Sequence, residues 1–86
     1  MPKVFDEAGF TGRFYMADLH EPIHIHVTKD GREAKFWVSP ITCANSGGFS
    51  RRDLRQAEAL VQKYLSDIVS LWHAAEEVRK NAGRTS

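Results

Sequence analysis

The feature that most narrows what this chain can fold into is a turn. Asp30-Gly31 stands between two runs of alternating apolar residues: Ile23, Ile25 and Val27 interleaved with His24, His26 and Thr28, then Ala34, Phe36 and Val38 interleaved with Lys35 and Trp37. A period of two belongs to a strand with one buried face. Asp-Gly favours a two-residue hairpin because both central positions take positive φ. Closing the hairpin there also fixes its register. Val27 falls opposite Ala34, Ile25 opposite Phe36 and Ile23 opposite Val38 on the apolar face, while His26 meets Lys35 and His24 meets Trp37 on the other.

The rest of the chain builds outward from this hairpin. Residues 1–12, broken by Pro2, Gly9 and Gly12, read as a loose lead-in or a short edge segment. Residues 13–45 read as a β-meander. Its first strand is Arg13 to Asp18, with Phe14 and Met16 on the apolar face and Tyr15 and Ala17 beside the histidines. Leu19 to Pro22 forms the connection, because Pro22 has no N–H for a ladder. Ser39-Pro40 ends the third strand, and Ile41 to Asn45 supplies a short fourth before Ser46-Gly47-Gly48 forces a turn.

A helix follows over residues 50–79. Ser50 is its N-cap, Asp53 occupies the capping-box position, and Phe49 staples to Leu54. Leu54, Ala57, Val61, Tyr64, Leu65, Ile68, Leu71, Trp72, Ala75 and Val78 then form one apolar stripe. About thirty residues at 1.5 Å each span ~45 Å, much longer than a small sheet, so a kink near Ser66-Asp67 or a contact with a second copy is expected. Residues 80–86 read as a frayed tail. The fold expected is α+β: one domain over residues 1–86, a three- or four-stranded antiparallel meander covered on one face by a long C-terminal helix, either continuous or kinked.

Composition removes several classes of function. A net charge of +1 with 27% charged residues is not that of a general polyanion binder, so any basic patch is local. The single cysteine, Cys43, excludes an internal disulfide framework and a zinc site built on several thiolates, which fits a reducing, cytoplasmic setting. No stretch approaches the ~20 apolar residues of a spanning helix, and the first ten residues do not read as a signal peptide. No phosphate-loop, dinucleotide or zinc-finger spacing is present, and Cys43 sits in a polar stretch without a neighbouring histidine to activate it.

Four short runs resemble a known family. His20-Glu21-Pro22-Ile23-His24-Ile25-His26-Val27, Ala34 to Pro40 and Gly48 to Leu54, with Leu71-Trp72-His73 near the end, are similar to the small prokaryotic DUF4160 family. The likeness covers roughly Val4 to Val78. Its most specific part is a His-x-Pro-Pro-His-x-His core, in which Ile23 here replaces the second proline. The resemblance implies a toxin-antitoxin-like gene pair and no established activity.

The candidate residues fall into three sets. His24 and His26, two apart on a strand, share a face with Cα atoms ~6.5–7 Å apart, within reach of one metal ion; His20 and Asp18 are the further candidate ligands. No cofactor is expected: packing of the rings beside Trp37 and Tyr15 is the plainer reading, and zinc or another divalent ion is the alternative this cluster raises. Tyr15, His20, His24, His26, Lys35 and Trp37 form a candidate binding face, since aromatics among cations on a sheet suit RNA bases or a protein partner. Arg51, Arg52 and Arg55 stand at the helix start, where arginine forks and free N–H groups suit an anion; three solvated arginines are the plainer reading.

The leading expectation is a non-enzymatic interaction module of a toxin-antitoxin-like pair, binding a partner protein or RNA through the histidine and tryptophan face. The alternatives are a small histidine-dependent ribonuclease or metal-binding hydrolase using His24 and His26, and a structural homodimer.

Overall fold

The computed structural model describes the backbone of residues 2–84 and the side chains of residues 2–81, and its central hairpin forms as its turn dictates. Asp30 and Gly31 both take positive φ, at 50° and 77°. They join β3 (His24–Lys29) to β4 (Arg32–Val38). His24 pairs with Trp37, Ile25 with Phe36, His26 with Lys35 and Val27 with Ala34, the register that the alternation requires.

The sheet has five strands, because residues expected to be a loose lead-in form a hairpin of their own. Strands β1 (Lys3–Glu7) and β2 (Phe10–Arg13) pair through a turn at Ala8-Gly9, and β5 (Ile41–Asn45) completes an antiparallel meander in the order β1-β2-β3-β4-β5. Phe5 and Phe10 are buried and belong to the main core. Charged neighbours hide this in the sequence. Lys3, Asp6 and Glu7 flank Phe5 because β1 is an edge strand, where charges deter pairing with other chains.

The expected first strand, Arg13 to Asp18, is displaced. Its ladder ends with Arg13 opposite His26, and the chain then leaves the sheet for a 3-10 turn at Met16–Asp18. The Asp18 N–H donates to the Tyr15 carbonyl at 3.0 Å and the Glu21 N–H to the Asp18 carbonyl at 2.9 Å. Met16, expected in the core, is 37% exposed, and Phe14 is buried in a second cluster with Leu19, Trp72 and Ala75.

Ser50 caps α1 (Arg51–Lys63), its Oγ accepting from the Asp53 N–H at 3.0 Å. Ala57, Leu60 and Val61 press onto Ile25, Val27, Ala34 and Phe36. The break comes at Tyr64 rather than near Ser66-Asp67, and α2 (Leu65–Arg84) continues from it. The helix is tied to β1 at that point. The Tyr64 ring stacks on Phe5 with centroids 5.0 Å apart, its hydroxyl donates to Glu7 Oε1 at 2.5 Å, and Lys63 Nζ reaches the same oxygen at 2.9 Å. Past the break α2 contributes Ile68 to the main core and Trp72 and Ala75 to the second cluster. Leu71 and Val78 of the expected stripe are exposed. Residues 80–84, read as frayed, are helical, while Thr85 and Ser86 lie outside the described residues. No helix among the described residues is long and apolar enough to cross a membrane.

Candidate metal centre

The connection from β2 to β3 folds over the sheet face that carries the histidines. Three contacts hold it there. The Tyr15 hydroxyl donates to Glu33 Oε1 at 3.0 Å, Lys35 Nζ to Glu21 Oε1 at 3.1 Å, and Arg79 of α2 to the Met16 carbonyl at 3.2 Å. The face expected to be open is therefore covered. His24 is fully buried, with ring centroids 5.3 Å from Trp72, 5.5 Å from Trp37 and 5.1 Å from His26. The Tyr15 ring lies over His26 at 4.6 Å.

Both imidazoles are held at Nδ1. The His24 Nδ1 stands 3.0 Å from the Pro22 carbonyl oxygen, and the His26 Nδ1 stands 3.1 Å from Glu33 Oε2. The Pro22 oxygen can only accept, so the His24 Nδ1 carries the hydrogen and donates; the His26 Nδ1 makes an ion-pair contact with Glu33, whose charge favours a hydrogen on that nitrogen. In the neutral rings this leaves a lone pair on each Nε2. Both lone pairs face one carboxylate oxygen: Asp18 Oδ2 is 3.2 Å from the His24 Nε2 and 3.5 Å from the His26 Nε2. At 3.5 Å the second approach has ion-pair length but is not a hydrogen bond, and the His26 Nε2 is buried without a hydrogen-bond partner.

Three electron-rich atoms thus converge, all within 4.8 Å of one another. The His24 Nε2 and Asp18 Oδ2 share a hydrogen bond, whereas the His26 Nε2, on a side chain 13% exposed, has no partner, which is costly in desolvation. A metal ion between the three atoms would supply that partner. Tetrahedral zinc, with bonds of ~2.0–2.1 Å, separates its ligand atoms by about 3.3 Å, close to both Asp18 distances. A carbonyl hydrogen-bonded to the His24 Nδ1 and a carboxylate beside the His26 Nδ1 are the kinds of partner that orient metal-binding histidines. Burial raises the Asp18 carboxyl, and its contacts with His24, then His26, outweigh it, leaving the group below the usual carboxylate range. Burial, then the hydrogen bond to Glu33, push the Tyr15 phenol up, so it stays a donor.

The other candidates are dispersed. His20 is exposed beside Leu19, Glu76, Arg79 and Lys80, away from the converging nitrogens. Lys35 is engaged by Glu21 and lies over the Trp37 ring, 4.4 Å from its centroid. Trp37 is half-buried in a shallow groove with Pro22, Ile23, Pro40 and Thr42. Arg51, Arg52 and Arg55 are exposed at the start of α1, which Lys29 joins to the hairpin tip through Asp53 at 3.1 Å. Lys29 stands three residue steps of strand, about 10 Å, from His26, so the arginines do not flank the histidines. Cys43 is exposed on β5.

Glu33 and Trp72 complete the site without having been singled out in the sequence as parts of it. Glu33 was within reach of the register: with His26 opposite Lys35, the residue two back on the same face is the diagonal neighbour of His26. Trp72 carries only the signal of a helical core residue.

Fold and site define a small α+β domain, a five-stranded meander with an Asp-His-His cluster enclosed beneath its β2–β3 connection. The chain belongs to the DUF4160 family, described as a domain of unknown function, whose family model matches residues 9–73. Nothing matches it among curated proteins or among solved structures.

Proposed function

We propose that this chain is a metal-binding domain holding one divalent ion of the zinc class on Asp18 Oδ2, His24 Nε2 and His26 Nε2. The observation that carries the reading is the fixing of both Nδ1 atoms by acceptors, which turns both Nε2 lone pairs onto one carboxylate oxygen. Three protein ligands leave a fourth position for water or a ligand, the ligand count of a reactive rather than a purely structural zinc site. An ion there would lower the pKa of bound water and polarise an oxygen of a bound group. Zinc titrated calorimetrically into metal-free protein is expected to bind at one per chain, and Asp18→Asn to weaken it at least tenfold. Absence of zinc binding to the unaltered chain would remove the reading.

A second reading, partner binding, is supported by the sheet's edges. β1 carries Lys3, Asp6 and Glu7, whereas β5 (Ile41-Thr42-Cys43-Ala44-Asn45) has no charge and is largely exposed. An edge strand without charge or proline suits pairing with a strand of another protein or of a second copy, and the Trp37 groove lies beside it. A partner of the toxin-antitoxin-like kind implied by the family resemblance would engage this edge. RNA has less support, since the histidines and Lys35 are occupied within the chain. Sedimentation with and without Ala44→Lys tests the self-pairing form. A monomer at every concentration would exclude it.

A further inference from the structure

We infer that the proposed metal centre takes a terminal phosphoryl group, held on its outer side by Arg13. The inference rests on the metal reading above and adds the class of ligand. Among the described residues, two buried side-chain polar atoms lack a hydrogen-bond partner: His26 Nε2 and Arg13 Nε. The two residues face each other across β2 and β3, as Cα partners on the same side of the sheet. Two orphaned atoms on one cross-strand pair point to one missing group, because buried polar atoms without partners are rare.

The neighbouring carboxylates are engaged elsewhere. Asp18 faces both histidines, Glu33 accepts from Tyr15 and lies in ion-pair contact with His26, and Glu21 accepts from Lys35. Arg13 therefore stands beside the centre with its fork unassigned. A metal ion satisfies the His26 Nε2, and an oxyanion on that ion satisfies the Arg13 N–H, so metal and anion together account for both orphans. Charge favours an anion, since the divalent ion and the guanidinium outweigh Asp18 and Glu33, and a terminal phosphoryl group, with three free oxygens against the two of a diester, can meet the ion and the guanidinium fork together. The planar guanidinium also matches two phosphoryl oxygens at once.

Cobalt(II) in place of zinc gives the test, because its visible absorption reports the ligand set. Cobalt-loaded protein is titrated with inorganic phosphate and, separately, with dimethyl phosphate. Saturable spectral change with phosphate, at lower concentration than with the diester, is expected. Arg13→Ala and Arg13→Gln should bind phosphate at least tenfold more weakly while their phosphate-free cobalt spectra match the unaltered chain, with Arg13→Lys intermediate. Failure to take up cobalt overturns the metal reading and this inference together. Uptake with no response to phosphate, an equal response in the Arg13 variants, or a preference for the diester overturns this inference alone.

Discussion

Glu33 Oε2 and His26 Nδ1 stand 3.1 Å apart across β4 and β3, and this one contact decides which nitrogen of the ring faces Asp18. Glu33 also accepts from Tyr15, so the carboxylate fixes the ring below it and the connection above it. Glu33→Ala is expected to weaken zinc about 10- to 100-fold, the usual effect of removing a group that orients a histidine ligand. Competition against a chromogenic chelator measures this. Unchanged affinity with an unchanged far-UV spectrum would show that the ring is oriented some other way.

Trp72 supports the site from behind. It is 1% exposed, packs against Phe14 at a centroid distance of 5.1 Å and meets the edge of His24. Trp72→Ala should cost roughly 3–5 kcal/mol by urea unfolding, the range for removing a large buried aromatic. Trp72→Phe should cost less. A loss below about 1 kcal/mol for the alanine variant would mean that the second cluster adds little to stability.

Gly47 has φ of +60°, and a Cβ built on it would lie 1.8 Å from the Glu33 carbonyl oxygen. Gly47→Ala therefore meets both backbone strain and a backbone collision, and its cost should exceed about 1 kcal/mol. Because the colliding atom belongs to Glu33, zinc affinity should fall as well. An unshifted urea midpoint would contradict the close approach.

The pH dependence of stability should bear the mark of the contact at the other end of the molecule. Hydrogen bonds from Tyr64, then Lys63, hold the Glu7 carboxyl below its ordinary value of 4.5, despite a smaller opposing effect of burial. That stabilisation is complete above the ordinary value and is lost as pH falls through the lowered one. The same contacts raise Lys63, chiefly through its hydrogen bond to Glu7, and Tyr64, again chiefly through Glu7. Their share is complete below their ordinary values and is lost as pH rises through the raised ones. Glu7→Gln should flatten both limbs of the thermal stability profile. An unaltered acid limb would show that Glu7 is free in solution.

Much of the central fold is legible in the sequence because short-range chemistry determines it. Asp30-Gly31 sets the register of β3 and β4, and Ser50 with Asp53 sets the start of α1. Two parts were not legible, for one physical reason: distant contacts override local pattern. Phe5 reads as isolated in a charged stretch, and contacts with distant residues, Tyr64 stacking on it among them, make β1 part of the core. Phe14 and Met16 alternate like strand residues, yet Phe14 is drawn out to Trp72 and Met16 turns toward solvent. The site shares this division. His24 and His26 follow from strand periodicity, and Asp18 was among the candidate ligands, but nothing local distinguishes it from His20. The 3-10 turn that aims Asp18 at the histidines exists only because the chain leaves the ladder after Arg13.

Long-range proton–nitrogen NMR of the imidazole rings, followed as zinc is added to metal-free protein, tests the central claim most directly. The account predicts that His24 and His26 keep a protonated Nδ1, that both Nε2 resonances move to metal-bound positions at one equivalent, and that His20 and His73 do not move. Zinc-bound Nδ1 atoms, participation of His20, or no change at one equivalent of zinc would contradict it.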